Sequence, residues 1–175
     1  RIKKHRFYNL IVITSIIAFV IIVGLMAKTL FTQIGADNLS LNTYAKLDKQ
    51  EKSKYTFFNS EGKDTAFIFL NGGKVDEKAY SYIAKDLVKE DIDVYFLKAP
   101  FNLHIFSFFR TSKLVKEIKE DYKNIFVGGH SLGGTVASMN TEDVDGVVFL
   151  GAYPFFESYK DLNKEGYSKS ECSPL

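Results

Sequence analysis

The residues best suited to chemistry stand together in Gly128-Gly129-His130-Ser131-Leu132-Gly133-Gly134. A serine hydroxyl is a weak nucleophile at neutral pH until its surroundings activate it. Ile125-Phe126-Val127 precedes this serine and reads as a short strand, and residues 132–140 read as a helix. A serine on a sharp strand-to-helix turn is held out at the strand's end, where a reacting carbonyl can approach. Such a turn needs small neighbours, because a side chain at Gly129 or Gly133 would meet backbone packed against the elbow. The turn aims the N–H of Leu132 at the place where negative charge would develop on the attacked oxygen, and the helix N-terminus adds its positive end. A glycine-rich turn with an incidental serine is the plain alternative. Phosphate binding is another, but Gly-x-x-x-x-Gly-Lys does not occur, and the loop at Asn71-Gly72-Gly73-Lys74 is too short for a dinucleotide.

The elements around the serine alternate in type. Residues 55–58 and 65–70 read as strands flanking the turn cluster Asn59-Ser60-Glu61-Gly62, so a hairpin between them is expected. Asp76 can cap a helix whose apolar residues Tyr80, Ile83, Ala84, Leu87 and Val88 repeat at three and four. Residues 92–97 form the next strand and 98–110 a Phe-rich loop. A second helix, capped by Thr111 or Ser112, carries Leu114, Val115, Ile118 and Tyr122 on one face. Residues 147–150 give a further strand. This alternation predicts an α/β fold, a mostly parallel sheet with helices on both faces. Right-handed crossovers then put the loops 71–73, 98–110, 128–131 and 151–156 at one sheet edge.

Composition bounds what else is present. With an apolar N-terminal segment set aside, 175 residues hold one modest domain. A net charge of +2, with lysines scattered among acids, does not suggest nucleic acid as a partner. The single cysteine, Cys172, excludes an intrachain disulfide and a multi-cysteine metal site, and it reads as a free thiol in a tail. Neither a metal nor an organic cofactor is expected. Residues 7–27 carry no charge, enough for a helix across the ~30 Å hydrocarbon layer. Arg1, Lys3, Lys4 and Arg6 precede the run, and only Lys28 follows it before Lys46. The asymmetry predicts a cytoplasmic N-terminus and an extracytoplasmic domain at the cell membrane. A cleaved signal peptide would have a shorter apolar core and a better small-x-small site than Leu25-Met26-Ala27-Lys28. The expected organisation is a basic cytoplasmic segment at 1–6, a transmembrane helix at 7–31 contacting lipid, a spacer at 32–54 with a short helix near 43–49, and a domain at 55–175.

From about Thr65 to Phe156 the chain resembles the α/β-hydrolase superfamily, in particular its small bacterial membrane-anchored members. The matching segments are Asn71-Gly72-Gly73-Lys74-Val75-Asp76, Lys98-Ala99-Pro100-Phe101-Asn102-Leu103 and the Gly128–Gly134 elbow. The elbow is specific for the superfamily; the other two are more suggestive of the subgroup. The resemblance implies a Ser131 nucleophile acting on an ester or related acyl bond of a small-molecule substrate. It also implies an oxyanion hole from the N–H of Leu132 and that of Gly72 or Gly73. His104, Phe101 and Phe106 fall in the loop expected to line the site.

The same resemblance implies an acid and then a histidine after the serine. The three histidines are His5, His104 and His130, and none follows Ser131. His130 adjoins the nucleophile, where neighbouring side chains point apart, and His5 lies among the basic residues. Leu103, Ile105 and Phe106 make His104 a wall or lid residue rather than a base. Glu157 and Asp161 read as surface carboxylates. The expectation is a domain cut before its catalytic acid and base, against the alternative of a natural protein that has lost catalysis. In function, a serine hydrolase stands against a non-catalytic ligand- or partner-binding module on the same scaffold. The topology is directly testable: protease added to intact cells is expected to degrade the domain and spare an N-terminal tag, and protection of the domain would reverse the orientation.

Overall fold

The computed structural model describes residues 2–155 except 63 and 141, so Glu157, Asp161 and Cys172 fall outside the described residues. The chain divides into two compact units between Gln33 and Ile34. The first is helix α1 (Ile2–Phe31), in which Tyr8–Thr29 is long and apolar enough to cross a membrane. The hydroxyls of Thr14 and Thr29 within the helix, and of Thr32 just past its end, donate to carbonyls one turn back at 3.0, 2.9 and 2.8 Å, so these polar groups are satisfied locally.

The second unit begins at Ile34, ahead of the Tyr55 boundary that composition suggests. Within the segment read as a spacer, helix α2 (Asn38–Lys46) starts earlier than the helix expected near residues 43–49. Asp37 caps it, accepting from the Ser40 N–H at 2.6 Å. Tyr44 then buries its ring edge-on against Phe58, centroids 5.8 Å apart, and its hydroxyl donates to Glu51 at 3.0 Å. Ser81 donates to the Ser40 carbonyl at 2.8 Å, tying α2 to helix α3 (Ser81–Lys89).

A six-stranded sheet follows: β1 (Gln50–Glu51), β2 (Tyr55–Phe58), β3 (Thr65–Leu70), β4 (Ile92–Leu97), β5 (Asn124–His130) and β6 (Gly146–Leu150), in spatial order β1-β2-β4-β3-β5-β6. Strands β3 to β6 run parallel to one another, while β2 is antiparallel to both β4 and β1. The expected hairpin of β2 with β3 does not form. β2 lies instead on β4, with Phe57 opposite Tyr95 at a ring separation of 4.6 Å and Phe58 packed on Phe96 at 4.9 Å. Cross-strand aromatic pairs of this kind stabilise a register, and β3 is left free to take β4 and β5 on its two sides.

Alternation along the central strands divides the core. Ala66, Ile68, Leu70, Leu97, Ile125 and Val127 join Leu114, Val115 and Ile118 of helix α4 (Phe108–Ile118) and Val136 and Ala137 of helix α5 (Leu132–Ala137). Phe67, Phe69, Val94 and Phe96 face α2 and α3 through Tyr44 and Ala84. The period of two therefore supplies two buried faces, the signature of a covered parallel sheet. Asp76 accepts from the Lys78 N–H at 3.0 Å and caps the turn Glu77–Tyr80 leading into α3. Helix α4 starts at Phe108, before the expected cap at Thr111 or Ser112, because Phe108 packs on the core and Thr111 is itself buried. At the other edge, β6 exposes Val148 and Leu150, which border an apolar groove of about 400 Å³ reaching to Phe67, Ile83, Leu87 and Phe126.

If α2 is part of the domain, Tyr44→Ala should cost about 3 kcal/mol or more in urea unfolding, as large aromatic truncations in cores do. Leu39→Ala, at a side chain 65% exposed on the same helix, should stay within about 0.5 kcal/mol. Equal, small effects would detach α2 from the folding unit.

Candidate active site

Strand order places a crevice before any side chain is considered. The chain goes from β3 outward to β4, then returns across β3 to β5. The loops leaving β3 and β5 thus diverge at their carboxyl ends, the position where open α/β sheets hold their ligands. The loop after β3 carries Gly72 and Gly73; the turn after β5 carries Ser131.

Ser131 stands between the last residue of β5 and the first of α5, with φ 50° and ψ −122°. For a residue with a Cβ this is a strained conformation, costing on the order of 1–3 kcal/mol. The surroundings enforce it. The Ser131 N–H donates to the Leu150 carbonyl at 3.0 Å, and a Cβ on Gly129 or Gly133 would overlap the carbonyl of Leu70. The turn is the one the sequence requires, although β5 runs to His130 and not only to Val127. The serine side chain is exposed. Leu132 opens α5, so its N–H belongs to the first-turn donors that lack an intrahelical acceptor.

Of the two glycines offered as the second donor, Gly72 is occupied. Its N–H donates to the Tyr80 hydroxyl at 3.0 Å, and that hydroxyl lies 3.0 Å from Nδ1 of His130. Burial raises Tyr80 above the usual phenol value, against the opposing pull of the Gly72 N–H, so it stays protonated. Its proton can go to Nδ1, leaving the ring N–H of His130 on Nε2. Gly73 makes no such bond, and its Cα faces the Leu132 side chain. His130 is thereby tied to the β3 loop rather than directed at Ser131.

His104 is 1% exposed. Its Nε2 lies 2.5 Å from Oδ1 of Asn71, whose amide donates to the Val75 carbonyl at 2.5 Å. Because the amide oxygen only accepts, Nε2 carries the proton; Nδ1 has no partner among the described residues. Burial first, and the Arg110 charge second, push this imidazole down to about 4. His104 is a neutral brace behind the β3 loop. Phe101 and Phe106, expected to line the site with it, are 41% and 62% exposed. The residues that inspection of the sequence missed as site groups are Asn71 and Tyr80. Tyr80 reads as one more apolar position of an amphipathic helix, and its partner His130 is fifty residues away, beyond any local pattern.

A family model described as the alpha/beta hydrolase family matches residues 66–169, more than half of the chain, and the chain belongs to that family. No curated protein sequence matches it. Among solved structures it is similar to TT1662 from Thermus thermophilus, with 10% identity, a TM-score of 0.53 and coverage of 63% of this chain and 59% of that one. It is also similar to DcsB in complex with its substrate analogue, with 19% identity, a TM-score of 0.50 and coverage of 61% and 45%. A third, MGS-MChE2, an alpha/beta hydrolase enzyme from the metagenome of lagoon sediments at Mar Chica, Morocco, has 20% identity, a TM-score of 0.46 and coverage of 66% and 57%. The chain spans about half the length of these proteins, and at such identities the likeness concerns the fold.

The His104 brace has a pH signature. Its folded-state value near 4 lies below the ordinary 6.5, so the unfolded chain binds the extra proton in between. Stability from this group is present above pH 6.5 and is lost as pH falls to about 4, a change on the order of 3 kcal/mol. Urea unfolding should show that loss in the parent chain and a clearly flatter profile in His104→Leu. Parallel profiles would remove His104 from the linkage.

Proposed function

We propose that this protein is a membrane-anchored serine hydrolase acting on an ester or related acyl bond, with Ser131 as its nucleophile. The observation that carries the reading is the strained, exposed Ser131 at the switch point between β3 and β5. Attack by Oγ on an acyl carbon would transfer negative charge to the carbonyl oxygen. The N–H groups of Leu132 and Gly73 would receive it, because the Gly72 N–H is already spent on Tyr80. In this reading Tyr8–Thr29 is the anchor. The basic residues before it hold the N-terminus in the cytoplasm, which leaves the domain on the extracytoplasmic side of the cell membrane.

The reading includes a restriction on these 175 residues. Proton transfer from a serine needs a base within hydrogen-bond reach, and another group to orient that base. His104 is buried on Asn71, His130 is engaged with Tyr80, and no histidine follows Ser131. The base of a full triad is therefore not supplied by the histidines of these 175 residues. That shortage is also what favours a second reading, a non-catalytic ligand- or partner-binding module on the same scaffold.

A fluorophosphonate probe separates the two. Oxyanion stabilisation without a full triad still leaves roughly 10³–10⁴-fold acceleration over water in serine hydrolases, so slow labelling is expected, lost in Ser131→Ala. Hydrolysis of p-nitrophenyl acetate should stay barely above background. Labelling that is equal in the parent and Ser131→Ala would leave the binding module; brisk Ser131-dependent turnover would mean a base within the chain.

A further inference from the structure

Four large apolar side chains stand exposed within nine residues, running from the segment that joins β4 to α4 into the first turn of α4. Phe101, Ile105, Phe106 and Phe109 are 41%, 56%, 62% and 73% exposed. The neighbouring positions His104, Ser107 and Thr111 are buried, so the segment is folded onto the domain and presents these rings from a fixed base. Water-facing aromatic clusters of this kind mark a surface that meets another apolar phase.

The backbone says where on the domain this cluster lies. The Lys74 N–H donates to the Asn102 carbonyl at 2.8 Å, which ties the aromatic segment to the loop after β3. The Lys74 carbonyl accepts from the Ile34 N–H at 2.8 Å, and the Ile34 carbonyl from the Asp76 N–H at 2.8 Å, forming a parallel bridge between Ile34 and Val75. The chain therefore joins the domain at the edge that carries the aromatic cluster, and Ile34 adds its own side chain, 61% exposed. Only Thr32 and Gln33 separate this junction from Phe31, the last residue of α1.

From these placements we propose that the edge formed by Ile34, Phe101, Ile105, Phe106 and Phe109 is seated in the interfacial layer of the lipid bilayer. The proposal rests on the reading of Tyr8–Thr29 as a membrane anchor. A domain joined through so short a link at its apolar edge gains by burying that edge at the headgroup–acyl boundary, where aromatic side chains are favoured. The edge is also the one to which the β3 and β5 loops open, so the face bearing Ser131 would meet lipid rather than bulk water.

The test uses the full chain reconstituted in phosphatidylcholine vesicles. In a Cys172→Ser background, Phe106→Cys, Phe109→Cys and Glu120→Cys are each labelled with a nitrobenzoxadiazole fluorophore. Glu120 lies just before β5, at the opposite edge of the sheet. Lipids carrying a nitroxide high on the acyl chain should reduce fluorescence at 106 and 109 by about half, with no comparable change at 120. Absence of quenching at 106 and 109, in protein that resists alkaline carbonate extraction, overturns the docking while the anchor stands. A blue shift without quenching places a protein surface there, such as a second copy, and also overturns it. Equal quenching at all three sites denies a specific edge. Release of the chain by carbonate removes the anchor and the docking together.

Discussion

The close approach of two backbones carries this structure. For Ser131 to occupy its positive-φ turn, the start of α5 must press against the end of β3, where the carbonyls of Leu70 and Asn71 leave no room for a Cβ on Gly133. A glycine there loses more conformational entropy on folding than a residue with a side chain would. In return it lets β3, β5 and α5 meet at one point. The strain at Ser131 is held by the parallel pairing of β3 with β5, from Thr65 opposite Asn124 to Leu70 opposite Gly129, and by the bond from the serine N–H to β6. The turn is thus a property of three strands and a helix together, and it persists because all of them are fixed by the core beneath.

Two polar braces keep the β3 loop in place above that core. On one side, His104 and Asn71 bind the loop across to Val75; on the other, Tyr80 joins Gly72 to His130. Buried polar groups are costly unless paired, and here His104–Asn71 and Tyr80–His130 join residues 33 and 50 positions apart. His104 and His130 are both engaged in holding the loop. The same economy spends the Gly72 N–H on Tyr80, so in the proposed hydrolase the amides that would receive charge are those of Gly73 and Leu132.

The two faces of the sheet are unequally clad. Helices α4 and α5 close a mainly aliphatic face, while α2 and α3 cover a more aromatic one only as far as the groove beside β6. The early start of the domain at Ile34 belongs to this asymmetry, since α2 supplies Tyr44 to the aromatic face. The antiparallel strands β1 and β2 extend the sheet on that side and leave β6 as the opposite edge among the described residues.

Much was legible in the chain itself. The alternation of strand and helix, the apolar N-terminal helix, the cap at Asp76 and the elbow at Ser131 are local patterns, set by periods of two and 3.6 and by the few residues that tolerate tight turns. These need no knowledge of partners. What the sequence left open was pairing at a distance. Residues 55–58 look equally fit to fold back on 65–70 or to lie on 92–97, and only aromatic contacts across β2 and β4 choose the second. Polar composition made residues 34–54 resemble a linker, because two buried side chains, Ser40 and Tyr44, are too few to form a pattern. The engagement of the Gly72 N–H by Tyr80, and the employment of His104 and His130 as braces, depend on hydrogen bonds between residues eight to fifty positions apart. A hydrogen bond of that span leaves no periodic trace in sequence, since it is satisfied by one atom on each side and only after the intervening chain has folded.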